Sequence, residues 1–290
     1  MESTSALIQM ADTPALDTVA EPLANAIKSA YSSAGEPGRM VKDTMHGVWL
    51  GHPLHPVFTD LPLGAWTTGL VLDAAAAVRN EPVLEQAADM AIAVGLVGAA
   101  GAAVTGLTDW SETSGRSRRT GLVHGLLNIA ATTLYATAYM LRKNGSRSAG
   151  QTCAVAGYGI ALGAAWLGGD LVYDQRIGVN HADADEPETF KQVAKASDLK
   201  DGSMMHAKTD EADVLLVRQH ERLCALNHRC SHAGGPLSEG ELKDGSVVCP
   251  WHQSQFSIDD GHIINGPATQ NQPTLDVREH AGQIEVRARA

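Results

Sequence analysis

Two short boxes, Cys230-Ser231-His232 and Cys249-Pro250-Trp251-His252, each bring one thiol and one imidazole within reach of a common centre. Thiolate is the soft ligand that iron–sulfur clusters take, and imidazole is the other side chain that iron accepts readily. A Cys and a His two or three residues apart converge on one small inorganic core only from tight turns. Turn chemistry comes after both boxes, Gly234-Gly235-Pro236 after the first and Gln253-Ser254 after the second. The four side chains therefore read as ligands of a [2Fe-2S] cluster. Taken singly, a Cys is more often a small buried hydrophobe and a His a satisfied polar residue. Zinc also takes two Cys and two His, but this spacing is not that of a zinc finger.

The boxes and the residues around them resemble the Rieske proteins, in particular the soluble ferredoxins that serve aromatic-ring dioxygenases. The resemblance runs from about Phe190 to Arg287 and includes Phe256, Gly261 and the run Asn265-Gly266-Pro267-Ala268-Thr269 to Pro273. It implies that Cys230 and Cys249 hold one iron, that His232 and His252 hold the other nearer the surface, and that the proline loop shields the cluster. Two departures separate this chain from the respiratory branch of the family. The extra Cys of each box is replaced by Gly235 and Trp251, so no disulfide clamps the loops. The Tyr that donates to a ligand sulfur is replaced by Phe256, although Ser254 is kept. Fewer hydrogen bonds to sulfur imply a potential near the low end of the Rieske range, roughly −150 mV.

The elements that must position these boxes differ sharply along the chain. At 290 residues with 44% hydrophobic but only 4% aromatic content, the sequence predicts two domains, one of them apolar and built from Ala, Gly, Leu and Val. More than half of the net −11 falls in the linker and the domain after it, from Asp174 onward, and the negative balance disfavours nucleic acid as a partner. Cys153 and Cys224 are expected to be free, which fits a reducing compartment. The first thirty residues lack a basic start followed by an apolar core, so no cleavable signal peptide is expected.

Segment 1–45 reads as an amphipathic or flexible N-terminal stretch, with Leu7, Ile8, Leu16, Val19, Leu23 and Ile27 at helical spacing up to a turn over 32–38. A His-rich loop, His52-Pro53-Leu54-His55-Pro56, opens a domain over 46–175. Four apolar stretches follow, 61–78, 91–108, 120–141 and 149–173. Each of the last three contains 18 or more successive residues without a formal charge, which is bilayer length, whereas Asp73 interrupts the first. The fold expected is an all-α four-helix transmembrane bundle, with Gly159 and Gly163 as a GxxxG contact and Trp49, Trp110 and Trp166 as an interfacial belt. Its His-Pro loop and the following Asp60-Leu61-Pro62-Leu63-Gly64 resemble a bacterial family of four-helix membrane proteins of unknown function. An acidic linker over 176–189, with Asp183, Asp185, Glu186 and Glu188 following Asp174, spans roughly 20–25 Å as coil. Residues 190–290 alternate apolar and polar with Gly and Asp turns, which predicts an all-β domain of short antiparallel strands.

With four spans, His46, His52, His55, Asp109, His124 and His181 fall on the same membrane face as the cluster. His in a span is costly enough to suggest a function. His52, His55 and His124 are the candidates for a second redox site holding haem or a quinone headgroup, against a purely structural role as helix caps and hydrogen-bond partners. The balance of Lys and Arg between the two faces puts both termini on the cytoplasmic side of a bacterial inner membrane. The function expected is a membrane-anchored electron-transfer component, not a stand-alone enzyme, working with a reductase, oxygenase or cytochrome partner and in contact with lipid and quinone. The alternative is a redox sensor whose cluster state alters the bundle. A Rieske oxygenase would need a non-haem iron domain after the cluster, and too few residues follow His252.

Overall fold

The computed structural model describes residues 6–182, 186–210 and 212–289 and divides the chain into two compact units. One unit is helical, Met1–Val41 with Leu54–Ile177. The other, Lys42–Pro53 with Gly178–Ala290, contains the strands.

In the helical unit α1 (Ala6–Ala11) and α2 (Asp17–Ser33) precede α4 (Leu54–Arg79), α5 (Pro82–Ser111), α6 (Gly115–Lys143) and α7 (Arg147–Tyr173), while α3 (Gly35–His46) runs from this unit into the other. The four long helices pair as hairpins, α4 with α5 and α6 with α7, because only a few residues separate each helix from the next. Among the described residues three helices, α4, α5 and α7, are long and apolar enough to cross a membrane. This corrects the expected four. Asp73 does not disqualify α4, whereas α6 falls short because Arg116, Arg118 and Arg119 open it, Arg142 and Lys143 close it, and His124, Asn128 and several Thr interrupt it.

Asp73 is tolerated because it is matched. Its carboxylate accepts bidentate hydrogen bonds from Arg142, at 3.0 Å from Nη1, and a further one from Arg147 Nη2 at 2.9 Å. Asp89 bridges the same two guanidinium groups at 3.3 and 3.2 Å, so two Asp and two Arg neutralise each other inside the bundle. Deeper in, Trp66 and Tyr135 stack with ring centroids 3.9 Å apart and planes 10° from parallel. The helices approach closely at Gly95, where a Cβ would stand 2.2 Å from Trp66 Nε1, and at Gly98, against Leu61 and Pro62. The expected GxxxG contact is absent among the described residues: nothing lies within 4 Å of a Cβ at Gly159, and at Gly163 only Leu7 does. Trp49 and Trp166 are exposed as a belt requires, but Trp110 is buried and donates to Arg118 O at 2.8 Å.

These contacts carry an internal repeat. Asp73 and Arg142 lie 69 positions apart, and so do Trp66 and Tyr135. The buried positions Leu54, Pro62, Trp66, Gly69 and Asp73 of α4 map at that offset onto Val123, Ala131, Tyr135, Ala138 and Arg142 of α6. On α5 and α7 the matching offset is 62, the separation of Glu85 and Arg147, and it relates buried Ala88, Ile92, Gly95 and Ala102 to Gly150, Ala154, Gly157 and Ala164. Equivalent residues that touch each other must lie on the axis relating the two hairpins, so the bundle has a pseudo-two-fold running between α4 and α6.

The N-terminal stretch is helical and packed. Ala20 and Ala24 of α2, with Leu16 and Ile27, cover Trp110 and Leu122, while Ala11 and Leu7 meet Val123 and Leu167. Val19 and Leu23 remain exposed. Arg116, Arg119 and Lys28 pair with Asp12, Asp17 and Glu112 at 3.0, 3.0 and 3.1 Å.

The second unit has two antiparallel sheets. Six strands in the order β1 (Lys191–Lys195), β10 (Gln283–Ala288), β9 (Thr274–His280), β4 (Arg222–Asn227), β3 (Asp213–Gln219), β2 (Ser203–Lys208) form the larger one. The smaller is β5 (Glu241–Lys243), β6 (Ser246–Val248), β7 (Gln255–Ser257), β8 (Ile263–Asn265). The period of two is explicit in β3, whose Leu215 and Val217 enter the core around Cys230 and Cys249 while Val214 and Leu216 enter the core on the opposite face. All ten strands among the described residues fall within residues 190–290, where the alternation predicts short antiparallel strands.

Two boundaries differ from expectation. Lys42–Pro53 belongs with the strands because Asp43 Oδ1 accepts from Gly266 N at 3.1 Å and the Val48 side chain lies against Gly266. The linker is shorter than a free coil over its whole length, since His181 N donates to Ser231 O at 3.0 Å and Ala288 N to Pro187 O at 2.7 Å. Asp183 and Asp185 lie outside the described residues.

The ion-pair cluster yields a prediction. Arg142→Leu leaves the buried Asp73 and the partly buried Asp89 to Arg147, which also pairs with Glu85, and should lower the stability of the detergent-solubilised protein by about 3 kcal/mol. Adding Asp73→Leu removes the buried carboxylate that lost Arg142, so the double variant should be the more stable of the two in thermal unfolding.

Candidate metal centre

The first box sits in the connection after β4, the second in the connection between β6 and β7, and both adopt the same turn. Cys230 N donates to Gly235 O at 2.9 Å and Gly234 N to Cys230 O at 2.8 Å. In the second loop Cys249 N donates to Ser254 O at 2.8 Å and Gln253 N to Cys249 O at 3.1 Å. Closing the chain this way requires a left-handed residue at the fourth position after each Cys, supplied by Gly234 (φ 74°) and Gln253 (φ 64°). The turn folds each His back beside its own Cys.

The sulfurs are sealed from water. Cys230 and Cys249 are each 1% exposed, in a core with Leu237, Val247, Phe256, Ile258 and Ala268. The Cys230 thiol donates to the Cys249 sulfur, which, with the backbone N–H groups of Trp251 and His252, brings Cys249 down to about 7 against its burial. Cys230 is pushed up by the same bond and by burial, although the N–H groups of His232 and Ala233 point at its sulfur. All four cysteines of the chain are free thiols. A Cβ at Gly235 would stand 2.9 Å from Cys249 Sγ and 3.2 Å from Trp251 Cγ, so the two positions lacking the respiratory cysteines are indeed neighbours.

The imidazoles are half-buried and meet edge to face, centroids 4.9 Å apart and planes at 88°. Two imidazoles on one tetrahedral metal, with bonds of about 2.0 Å and about 1.1 Å from nitrogen to ring centre, have centroids roughly 5 Å apart. The spacing of His232 and His252 therefore fits a shared iron, and the buried sulfurs with N–H groups aimed at them fit a second. A [2Fe-2S] cluster with two imidazoles on one iron and two thiolates on the other takes this donor set.

Around the ligands, Gln272 carries a role that the sequence concealed. Only 1% exposed, it accepts from Ser231 N at 2.9 Å and donates to Asn227 O and Arg229 O at 2.8 and 2.7 Å, bracing the first loop from within. Ser231 Oγ donates to Gln270 O at 2.8 Å, and Ser254 Oγ accepts from Ala268 N at 3.0 Å, so each loop is tied to the segment after the cis Gly266–Pro267 bond. Below the first loop, His206 and His228 stack at 3.7 Å, and Asp213 Oδ1 bonds His206 Nε2 at 2.7 Å. Desolvation, with His206 beside it, pushes His228 down to about 4.

The remaining candidate histidines separate. His46 and His52 belong to the Lys42–Pro53 segment of the strand unit, and His181 lies beside Gly234. His55 on α4 and His124 on α6 are brought together in the helical unit, with centroids 6.3 Å apart, and Asp109 is on α5 of the same unit. His52 is not part of that pair.

Comparison with known proteins agrees with both halves. Residues 189–277 match the Rieske [2Fe-2S] domain family, and residues 51–181 match a family described as predicted membrane protein (DUF2231). The ferredoxin component of the alkene monooxygenase system of Xanthobacter autotrophicus is 33% identical over 105 residues, 36% of this chain and 84% of its own length. The ferredoxin subunit of 3-phenylpropionate/cinnamic acid dioxygenase from Escherichia coli is 32% identical over 89 residues, 30% of this chain and 83% of that protein. Apoptosis-inducing factor 3 of Mus musculus is 33% identical over 96 residues, but the chain spans only 16% of its length. Among solved structures, the ferredoxin of carbazole 1,9a-dioxygenase from Nocardioides aromaticivorans is 26% identical with a TM-score of 0.33, covering 35% of this chain and 100% of that one.

The site generates three expected outcomes. His232→Ala should lose the cluster, and iron retained with an all-thiolate paramagnetic resonance spectrum would contradict the ligand set. Phe256→Tyr places a donor in the sulfur core and should raise the reduction potential by about 20–40 mV in film voltammetry, because sulfur carries more charge after reduction. Gln272→Leu leaves three buried backbone groups without their partner and should destabilise the strand unit by at least about 2 kcal/mol, with faster cluster loss on heating.

Proposed function

Because this chain belongs to the Rieske [2Fe-2S] family through its C-terminal part and to a family of predicted membrane proteins through its N-terminal part, we propose that it is a membrane-anchored one-electron carrier. The observation behind this reading is the pair of identically closed loops that bury two sulfurs and leave two imidazole edges half-exposed. Bound there, a [2Fe-2S] cluster supplies a one-electron couple. The chain's own residues set its terms. Backbone N–H groups aimed at Cys230 and Cys249 stabilise charge on sulfur, and the core around Phe256 and Leu237 keeps water from the thiolate side. His232 and His252 form the edge toward a partner. Trp251, 56% exposed and perpendicular to the His252 ring, offers an apolar contact beside it.

The relatives named ferredoxin components of oxygenase systems point to a reductase or oxygenase as the partner class. A multi-pass location in a bacterial inner membrane is favoured by the three long apolar helices α4, α5 and α7. The polar residues Tyr135 and Arg142 of α6 face the bundle interior. A second redox group in the helical unit, haem or quinone, would give the membrane part a share in the same electron transfer.

Two experiments test the proposal. The detergent-purified full chain, reduced chemically, should show a Rieske-type resonance and reoxidise on mixing with a ferredoxin-dependent oxygenase. Reduction that changes the accessibility of the helices to labels, with no electron delivered to any oxygenase or cytochrome, would favour the sensor instead. Tags beside Gly51 and after Ala290 should report the same, cytoplasmic, side in oriented vesicles, and opposite sides would remove one crossing.

A further inference from the structure

The pseudo-two-fold that pairs Asp73 with Arg142 and Trp66 with Tyr135 also relates His55 to His124, at the same offset of 69. Their backbone surroundings repeat. His55 Nδ1 lies 2.9 Å from Ala102 O, and His124 Nδ1 lies 2.8 Å from Ala164 O. The two alanines are equivalent on α5 and α7. One turn beyond each, Gly106 and Gly168 are the floor under the rings, a Cβ there standing 2.7 Å from His55 Cε1 and 3.2 Å from His124 Cε1. A carbonyl can only accept, so in its neutral form each ring carries its proton on Nδ1 and leaves the lone pair on Nε2. This is the state in which protein imidazoles bind metals, with the other nitrogen oriented by a carbonyl.

The separation fits one mode of binding. Two imidazoles on opposite sides of one metal, with bonds of about 2.0 Å and about 1.1 Å from nitrogen to ring centre, have centroids roughly 6.2 Å apart. His55 and His124 are at 6.3 Å with planes at 83°. The same arithmetic distinguishes them from His232 and His252, whose 4.9 Å suits adjacent corners of a tetrahedron. A metal bound by two opposed imidazoles needs its other positions filled from elsewhere, and haem iron arrives with four equatorial nitrogens and needs only two axial ligands. We propose that His55 and His124 are the axial ligands of one haem iron on the pseudo-two-fold axis. The Asn128 amide now sits 3.1 Å from His124 Nε2 and also donates to His124 O at 3.0 Å, so it can leave the ring nitrogen to iron and keep a partner. This deepens the carrier reading by fixing which second redox group the helical unit takes and which histidines hold it, with His52 outside.

The test uses the full chain purified in detergent, titrated with haemin and assayed by visible spectra and pyridine haemochrome. Expected is one low-spin, six-coordinate haem per chain, lost at least tenfold in affinity in His55→Ala and in His124→Ala and retained in His52→Ala. Asn128→Leu should bind haemin at least as well, whereas a His124 that served only as a hydrogen-bond partner would predict a destabilised protein and no haem. The Rieske resonance must persist in both His variants, which reports a folded chain and separates this proposal from the carrier reading. Low-spin haem that survives both substitutions, high-spin haem alone, or no haem uptake by the unaltered chain overturns the assignment.

Discussion

The constraint on which the strand unit depends is that two loops, with no covalent link between them, must hold four ligands at fixed separations. Each loop meets it by closing on its own Cys with two backbone hydrogen bonds and one left-handed residue. That closure spends local backbone geometry on positioning, so the loops need bracing rather than cross-linking. Gln272 braces the first from inside, and Ser231 and Ser254 tie the loops to the segment after Gly266. The place of a disulfide is taken by Gly235 and Trp251, whose close approach leaves no room for another side chain at Gly235.

In the helical unit a comparable economy comes from symmetry. Lipid gives no hydrophobic drive between helices, so close packing and satisfied polar groups must hold the bundle. Small residues on α5 and α7 let the aromatic pair Trp66 and Tyr135 occupy the axis, and the buried Arg and Asp residues cancel near one end. The helix α6 is the least apolar of the four because it holds the polar half of several of these pairs.

Much of this was legible in residue types and spacing. The two Cys-His boxes disclose the metal centre because soft and borderline ligands at that spacing have few other uses, and the short apolar segment Val214-Leu215-Leu216-Val217 discloses a strand, which the fold buries on both faces. Gln272 was not legible, since a lone Gln carries no periodicity and its partners are backbone groups brought near by folding. The repeat was hidden for a different reason: its identical residues are few and mostly Gly and Ala, and the offset changes from 69 between α4 and α6 to 62 between α5 and α7. GxxxG at Gly159 looked like a contact because local sequence does not say which face of a helix meets its neighbour, and the axis selects Gly157 instead.

The axis also explains which residues differ between the halves. A residue on a two-fold axis faces its own equivalent, so each such position meets a like-with-like problem. Aromatic rings solve it by stacking, as Trp66 and Tyr135 do. Two Asp or two Arg at the charged position would repel inside a low-dielectric bundle, and there the halves carry opposite charges. Only the His position is identical in both, with the same carbonyl and the same glycine behind each ring. Two protonated imidazoles would repel there as two Arg would, whereas two neutral ones, each with its proton committed to a carbonyl, can face each other and share a cation. Retaining His on both sides is thus the arrangement that a single shared metal favours and that a purely structural polar pair has no need of.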